Sequence, residues 1–291
     1  MISVLITNYN TWDLCIKSIR SISEENLKFI SEIIIVDDAS DQVAPIELVN
    51  HQLVRIVKNN INLGYASSVN KAFEFANESI CLLLDSDAYI LSGLEHIEKQ
   101  FDNNANLGIL APLLVDIDGN STGRAEPEVH FWGLLLGQQL DAKIGKYIYK
   151  PSSRWSIFSC GMAVKKEAFF DVNGFDTSFD FLDADHDFSM KINRTCWKIK
   201  FEDRCRIYHI GNGSPQTTSK RVIRFYRNRI KLLKKYNKIK SVTSFKQLLL
   251  IRINVEYWIL HLLKFLRINT MDLNDKILGR KNIIKFLKDN G

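Results

Sequence analysis

The chain has 291 residues, 46% of them hydrophobic, which is ordinary for a globular protein and suits one large domain or one domain plus an appendage. Its five cysteines are odd in number and lack a Cys-x-x-Cys pair, so they read as reduced thiols of a cytoplasmic protein rather than a disulfide framework. The net charge of +6 is divided: residues 1–219 carry 20 Lys and Arg against 29 Asp and Glu (−9), whereas residues 220–291 carry 19 against 4 (+15), an acidic body for chemistry and a basic tail for attachment.

Met1 runs straight into Ile2-Ser3-Val4-Leu5-Ile6, too short and without a basic flank for a cleavable leader. No window reaches about 18 uninterrupted apolar residues, so no transmembrane helix is expected. Ser3–Thr7 reads as a strand, and Leu14, Ile16, Ile19 and Ile22 give Thr11–Ile22 helical spacing. Strands follow at Glu32–Val36 and Leu53–Val57, a helix at Tyr65–Ala76, and a fourth strand at Ile80–Leu84. This alternation predicts a mostly parallel sheet with right-handed crossovers. A polar excursion covers Asp116–Glu128. Residues 130–155 are aromatic and Gly-rich without clean periodicity. Phe131, Trp132, Tyr147, Tyr149 and Trp155 there suit either a wall for sugar rings or a core.

Each early strand ends in polar residues. These are Thr7-Asn8-Tyr9-Asn10, then Asp37-Asp38, then Asn59 to Tyr65 after the third strand, then Asp85-Ser86-Asp87. Such ends on one sheet edge form a crevice suited to a nucleotide. No Gly-rich phosphate loop is present, so a divalent cation on Asp87 is the expected counter-charge for a pyrophosphate. Asn8, Asn10 and Asn62 also suit turns and helix caps. A second cluster, Asp183, Asp185 and Asp187, alternates at the start of an apolar helical face. Capping explains one or two of them, and the remaining one could act as a general base. His209 stands at a strand end before a glycine-containing loop and is either structural or a metal or phosphate ligand.

Taken in order, Thr7-Asn8-Tyr9-Asn10, Val36-Asp37-Asp38-Ala39-Ser40, Asn62-Leu63-Gly64-Tyr65-Ala66 and Asp85-Ser86-Asp87 resemble the nucleotide-binding half of family 2 glycosyltransferases. Gly161-Met162-Ala163, Gly174-Phe175-Asp176, Asp185-His186-Asp187 and Tyr208-His209-Ile210-Gly211-Asn212-Gly213-Ser214 resemble the acceptor half. The resemblance spans roughly residues 2–230. It implies a GT-A fold, a Rossmann-like α/β/α sandwich with a mostly parallel sheet, here with a C-terminal basic helical extension. The divisions expected are 1–219 for the catalytic domain (1–115 nucleotide-binding, 116–219 acceptor) and 220–291 for the extension. It further implies inverting transfer from a nucleotide-diphospho-sugar, UDP- or dTDP-linked, to a glycan or lipid-linked hydroxyl in cell-surface polysaccharide biosynthesis.

Carried over by position, Thr7 and Asp38 would hold the nucleoside, with Asn8, Gly64 and Asn70 in the same pocket. Asp85 would lie near the ribose or base. Asp87 would bind Mn2+ or Mg2+, joined by His209, and Asp185 would be the base. The family usually has Glu-Asp where this chain has Ala184-Asp185, which leaves Asp183 and Asp187 as rivals for that role. Arg227-Asn228 within Arg-Phe-Tyr-Arg-Asn-Arg resembles rhamnosyltransferase-like members. The other readings are a sugar-nucleotide nucleotidyltransferase, whose basic Gly-rich loop Thr7–Thr11 lacks, and a non-catalytic glycan-binding scaffold, against which Asp87 speaks.

In the tail, a helix is expected over Phe245–Arg267. At about 100° per residue, Leu248, Ile251, Val255, Trp258, Ile259, Leu262 and Leu266 share one arc. That arc suits an anionic membrane surface, or packing on the body or on a second subunit in a homo-oligomer. No nucleic-acid module is present, and no nucleic-acid partner is expected.

Overall fold

The computed structural model describes residues 1–150, 152–179, 183–211, 218–268 and 273–289. The chain separates into two compact units: residues 1–127 with 154–214, and residues 128–153 with 215–291.

The first unit is built on an eight-stranded sheet. Its strands are β1 (Ile2–Asn8), β2 (Ile30–Asp37), β3 (Val54–Lys58), β4 (Ile80–Asp85), β5 (Ala88–Ser92), β6 (Leu107–Val115), β9 (Gly161–Lys165) and β10 (Lys198–His209). A two-stranded ribbon adds β7 (Ala125–Pro127) and β8 (Trp155–Ile157). The helices of this unit are α1 (Trp12–Arg20), α2 (Glu24–Leu27), α3 (Ile46–Val49), α4 (Tyr65–Phe75), α5 (Leu94–Asp102), α8 (Lys166–Asp171) and α9 (Ala184–Ile192). The order across the sheet is β3-β2-β1-β4-β9-β6-β10-β5.

β1 pairs in parallel with β2 on one side and β4 on the other, and β2 with β3. The chain therefore leaves β1 in one direction and returns to its opposite side, a topological switch point at which α/β sheets bind ligands. The apolar runs of β1 and β4 are buried on both faces, which is why they lack the alternation of a half-exposed strand. This is the mostly parallel α/β sheet expected from the alternating strands and helices. The departures are β9 and β5. β9 runs antiparallel between β4 and β6, and β5 runs antiparallel to β10. Observed element ends differ from the expected ones by a few residues, as with Trp12–Arg20 inside Thr11–Ile22.

Below the second motif cluster lies an aromatic core. Phe73 stacks on Phe169 with ring centroids 3.6 Å apart, and Phe169, Phe175 and Phe188 pack pairwise at 5.1–6.1 Å. These rings are fully or almost fully buried. They tie α4, α8 and α9 to the Gly174 turn, each ring pair adding on the order of 1 kcal/mol beyond burial.

The second unit comprises α6 (Phe131–Leu136), α7 (Gln138–Ile148), α10 (Thr218–Lys235), α11 (Val242–Phe265) and α12 (Leu273–Asp289). Within residues 130–155, read from sequence as lacking a clean period, the chain forms two helices broken at Gly137, whose φ of 78° ends the six-residue first one; the break interrupts any period shared by the two. The ring of His130 stacks on Tyr149, and Phe131 meets Phe245 of α11. Among the described residues no helix is long and apolar enough to cross a membrane.

Candidate active site

The parallel register sets the strand ends side by side: Asn8 opposite Asp37, Thr7 opposite Asp85, and Asp37 opposite Lys58. Their side chains then divide into those that build the crevice and those that face into it. Asn8 is 1% exposed and donates to Asp37 Oδ1 (3.0 Å) and Ser40 Oγ (3.2 Å), while its Oδ1 accepts from the Thr11 hydroxyl (2.8 Å). Asp38 is also buried. Its carboxylate accepts from Asn59 Nδ2 and from the backbone N–H groups of Leu63 and Gly64, each at 2.8 Å. Asp38 thus moulds the 59–64 loop that delivers the chain to α4. Gly64 begins that helix at φ 85°, a conformation L residues rarely adopt.

Asn70, on the same helix, donates to Phe175 O (2.9 Å) and accepts from Phe175 N (2.8 Å). This two-pronged clamp holds the Gly174-Phe175 turn. A Cβ at Gly174 (φ 57°) would sit 2.7 Å from both Asn70 Oδ1 and the Phe169 ring, so the clamp and the aromatic core leave room only for glycine there. Thr7 stays partly exposed at its strand end.

The second group converges on the end of β4. Antiparallel pairing of β10 with β5 sets His209 opposite Ala88, directly after Asp87. His209 Nε2 lies 3.3 Å from Asp87 Oδ1 and 3.7 Å from Asp85 Oδ2. β9 pairs Gly161 with Leu84, which places Cys160, just before that strand, against Asp85, while Ser159 meets Asp185 and Tyr65. Asp185 stands in the first turn of α9. Its Oδ2 accepts from Ser159 N (3.2 Å) and Oγ (3.4 Å), and its Oδ1 from His186 N (2.8 Å).

The electrostatics follow from this crowding. Burial first, and then the charges of Asp87 and Asp185, push the Asp85 carboxyl up to about 6, against the opposing pull of His209 and the Tyr65 hydroxyl. For His209, burial alone would depress the imidazole; Asp87 and Asp85 outweigh it and the net shift is upward. Burial, followed by Asp85, Asp185 and Asp87, raises Cys160 well above an ordinary thiol, so it remains protonated. Tyr65 is raised in the same way.

Three carboxylates and an imidazole gathered past one strand end could hold a cation. Oxygen donors with one imidazole fit a hard divalent ion such as Mn2+ or Mg2+. Among the described residues, Asp85, Cys160 and His209 each offer a donor atom within 4.8 Å of the others, but a protonated thiol is the least suited of the three to such an ion.

Residues 3–169, more than half of the chain, match the family model described as Glycosyl transferase family 2. The chain belongs to glycosyltransferase family 2. Among curated relatives, an uncharacterized glycosyltransferase of Methanocaldococcus jannaschii is 30% identical over 138 residues, covering 44% of this chain and 47% of that protein. A second, from Bacillus subtilis, is 31% identical over 99 residues, covering 34% and 36%. The aligned chain thus spans about half or less of the length of the curated relatives it matches.

The family 2 chain also resembles solved GT-A structures. A mannosyltransferase of Pyrobaculum calidifontis in complex with GDP-Man and Mn2+ superposes with TM-score 0.62 at 15% identity, covering 99% of this chain and 86% of that one. TarS residues 1–349 of S. aureus give 0.55 at 16%, covering 99% and 81%. GalNAc-T7 with UDP, GalNAc and Mn2+ gives 0.55 at 18%, covering 79% and 49%. At these identities the likeness establishes the GT-A fold.

Within this family 2 site, the structure brings Asp85, Asp87, Asp185 and His209 together. It gives Asn8, Asp38 and Asn70 internal hydrogen-bond work. Asp183 and Asp187 are buried, at 4% and 0% exposure, whereas Asp185 is partly exposed. Asp183 takes φ 69°, a left-handed turn that opens α9. Asp187 lies 3.8 Å from Lys191, whose ammonium also reaches the carbonyls of Val172 and Gly174. Asp180, Phe181 and Leu182, and the Asn212-Gly213-Ser214 end of the histidine motif, lie outside the described residues. Sequence reading gave no site role to Tyr65, Ser159 or Cys160. Tyr65 entered only as a member of its motif, Ser159 carries no signature, and Cys160 becomes meaningful only once β9 is known to lie beside β4.

Proposed function

We propose that the chain transfers a hexosyl or deoxyhexosyl group from a nucleotide-diphospho-sugar, UDP- or dTDP-linked, to a hydroxyl of a glycan or lipid-linked acceptor, inverting the anomeric centre. The observation that carries the reading is the convergence of Asp85, Asp87 and His209 with the partly exposed Asp185 at the switch-point edge of the sheet. The metal and nucleotides named with the GT-A neighbours support it. The Arg227-Asn228 segment on α10 is the reason for including deoxyhexoses.

In this reading Asp87 and His209 hold a divalent cation, Mn2+ or Mg2+, which when bound neutralises charge growing on the leaving diphosphate. Asp85 faces the ribose or base from the end of β4. Thr7 borders the nucleoside, and Asp38 shapes the loop before Gly64 that closes the pocket. Asp185 accepts the proton of the acceptor hydroxyl as its oxygen attacks the sugar C1. Exposure favours Asp185 over its buried neighbours, because a base must reach its proton. Ser159 orients it by donating to Oδ2. Ordering donor and acceptor supplies much of the remaining rate enhancement. The catalytic domain is proposed to cover residues 1–219, of which 128–153 and 215–219 fold with the C-terminal helices, and to work in the cytoplasm, peripheral to a membrane, in building a cell-surface glycan.

Thermal stabilisation and release of nucleoside diphosphate across a panel of nucleotide sugars, with and without Mn2+, identify the donor. Asp87→Ala should abolish metal-dependent nucleotide binding in isothermal titration. Unchanged binding would refute the assignment.

A further inference from the structure

α11 is apolar on two opposite faces. One face packs inside its own unit through Phe245, Leu249 and Ile253, all buried. The other presents Ile251, Val255, Trp258, Ile259, Leu262 and Phe265, each between 52% and 83% exposed. The orientation is held by polar locks. Arg252 donates to Glu256 Oε1 at 2.8 and 2.6 Å and to Leu134 O at 3.1 Å, and Arg280 of α12 donates to Glu256 Oε2 at 2.8 Å. The exposed face is therefore the fixed outer surface of a packed helix. A contiguous apolar stripe of this kind on a folded unit marks a contact surface.

Charge decides what covers it. Residues 220–291 carry 19 Lys and Arg against 4 Asp and Glu, and Lys264, Arg267, Lys281, Lys285 and Lys288 are exposed on and beside α11 and on α12. Two copies joined along this face would bring two strongly positive units together, whereas an anionic surface gains from the same charge. Trp258, the most exposed tryptophan of the chain at 67%, suits the boundary between headgroups and acyl chains. We propose that the outer face of α11 docks on an anionic lipid bilayer, its apolar stripe entering the interface while the basic residues of the unit hold the headgroups. The inference extends the peripheral placement proposed above and rests on it only for the biological membrane concerned. Its test reads binding rather than turnover, so either can fail alone.

The test is co-sedimentation of the intact chain with vesicles of phosphatidylcholine alone or mixed with phosphatidylglycerol. Binding is expected only to the anionic vesicles, with release at high salt. The combined Ile251→Gln, Trp258→Gln and Leu262→Gln variant should weaken binding by about tenfold or more, since three interfacial anchors are lost. Should that variant not fold, as judged by its thermal melt, the single Trp258→Phe serves instead: the blue shift of tryptophan emission on anionic vesicles should be present in the intact chain and reduced in the variant. No vesicle binding, binding unaffected by the substitutions, or a solution dimer that the combined variant converts to monomer would overturn the proposal, the last in favour of a second copy.

Discussion

Replacing each of the three alternating aspartates by asparagine separates chemistry from scaffolding. Asp185→Asn keeps the size of the side chain and, with its amide oxygen toward Ser159, those hydrogen bonds; it gives up the one accepted from His186 N and removes the basic carboxylate. Loss of a general base typically costs about 10²–10⁴ in rate. Because Asp185 is partly exposed and only the hydrogen bond from His186 N is lost, stability should fall by no more than about 1 kcal/mol. Asp187→Asn is the opposite case. Asp187 is 0% exposed and 3.8 Å from Lys191, itself mostly buried and bonded to two carbonyls. Breaking a fully buried pair costs roughly 3–5 kcal/mol. The remaining partners of Lys191 bring the expected loss to about 2 kcal/mol, which lowers the melting temperature by roughly 4–8 °C for a unit of this size. The assay pairs donor turnover below the melt with a thermal scan. Asp185→Asn should be slow and stable, and Asp187→Asn should be destabilised with near-normal turnover while folded. A stable Asp187→Asn that is dead, beside a near-normal Asp185→Asn, would refute the reasoning.

Asn70→Ala should lower stability by about 1–3 kcal/mol in chemical denaturation, because both Phe175 backbone groups lose their partner, with a smaller effect on nucleotide affinity. Asp38→Ala should weaken donor binding through the loop, measurable as a higher nucleotide Kd, since Leu63 N and Gly64 N lose their shared acceptor. Glu202 is held down to about 2, first by the hydrogen bonds of Arg204. A folded pKa below the ordinary glutamate value of 4.5 means its contribution is full above that pH and disappears as pH falls toward 2. Glu202→Gln should therefore be less stable than the parent at neutral pH, on the order of 1.5 kcal/mol for charge-assisted bonds, with the gap closing between these two values in denaturation series.

Much of this molecule was legible before folding. The runs Ile2–Ile6 and Ile80–Leu84 announce strands buried on both faces, because burial on both sides removes any alternation. Carboxylates and amides where such runs stop announce a crevice, because a buried strand can present polar groups only past its end. The spacing from Leu248 to Leu266 announces one apolar arc on a helix, because helical period is a local property.

What the sequence could not supply is which distant segments meet. β9 enters antiparallel between β4 and β6, and only that insertion sets Cys160 beside Asp85 and Ser159 beside Asp185. His209 reaches Asp87 through the register of β10 on β5, a pairing that no local pattern encodes. Asp183, Asp185 and Asp187 are equivalent as letters. The packing of α9 on the aromatic core buries the outer two and leaves the middle one open. Asn70 and Asp38 read as pocket residues because their neighbours do, yet their hydrogen bonds go to backbone groups brought close by the fold. The arc read on α11 proves to be its exposed side, and the face that packs inside its unit is the one bearing Phe245, Leu249 and Ile253, a choice made by the neighbouring helices and not by the helical period. Period and burial are written along the chain; strand order, and with it the partner of each polar group, is a property of the folded sheet.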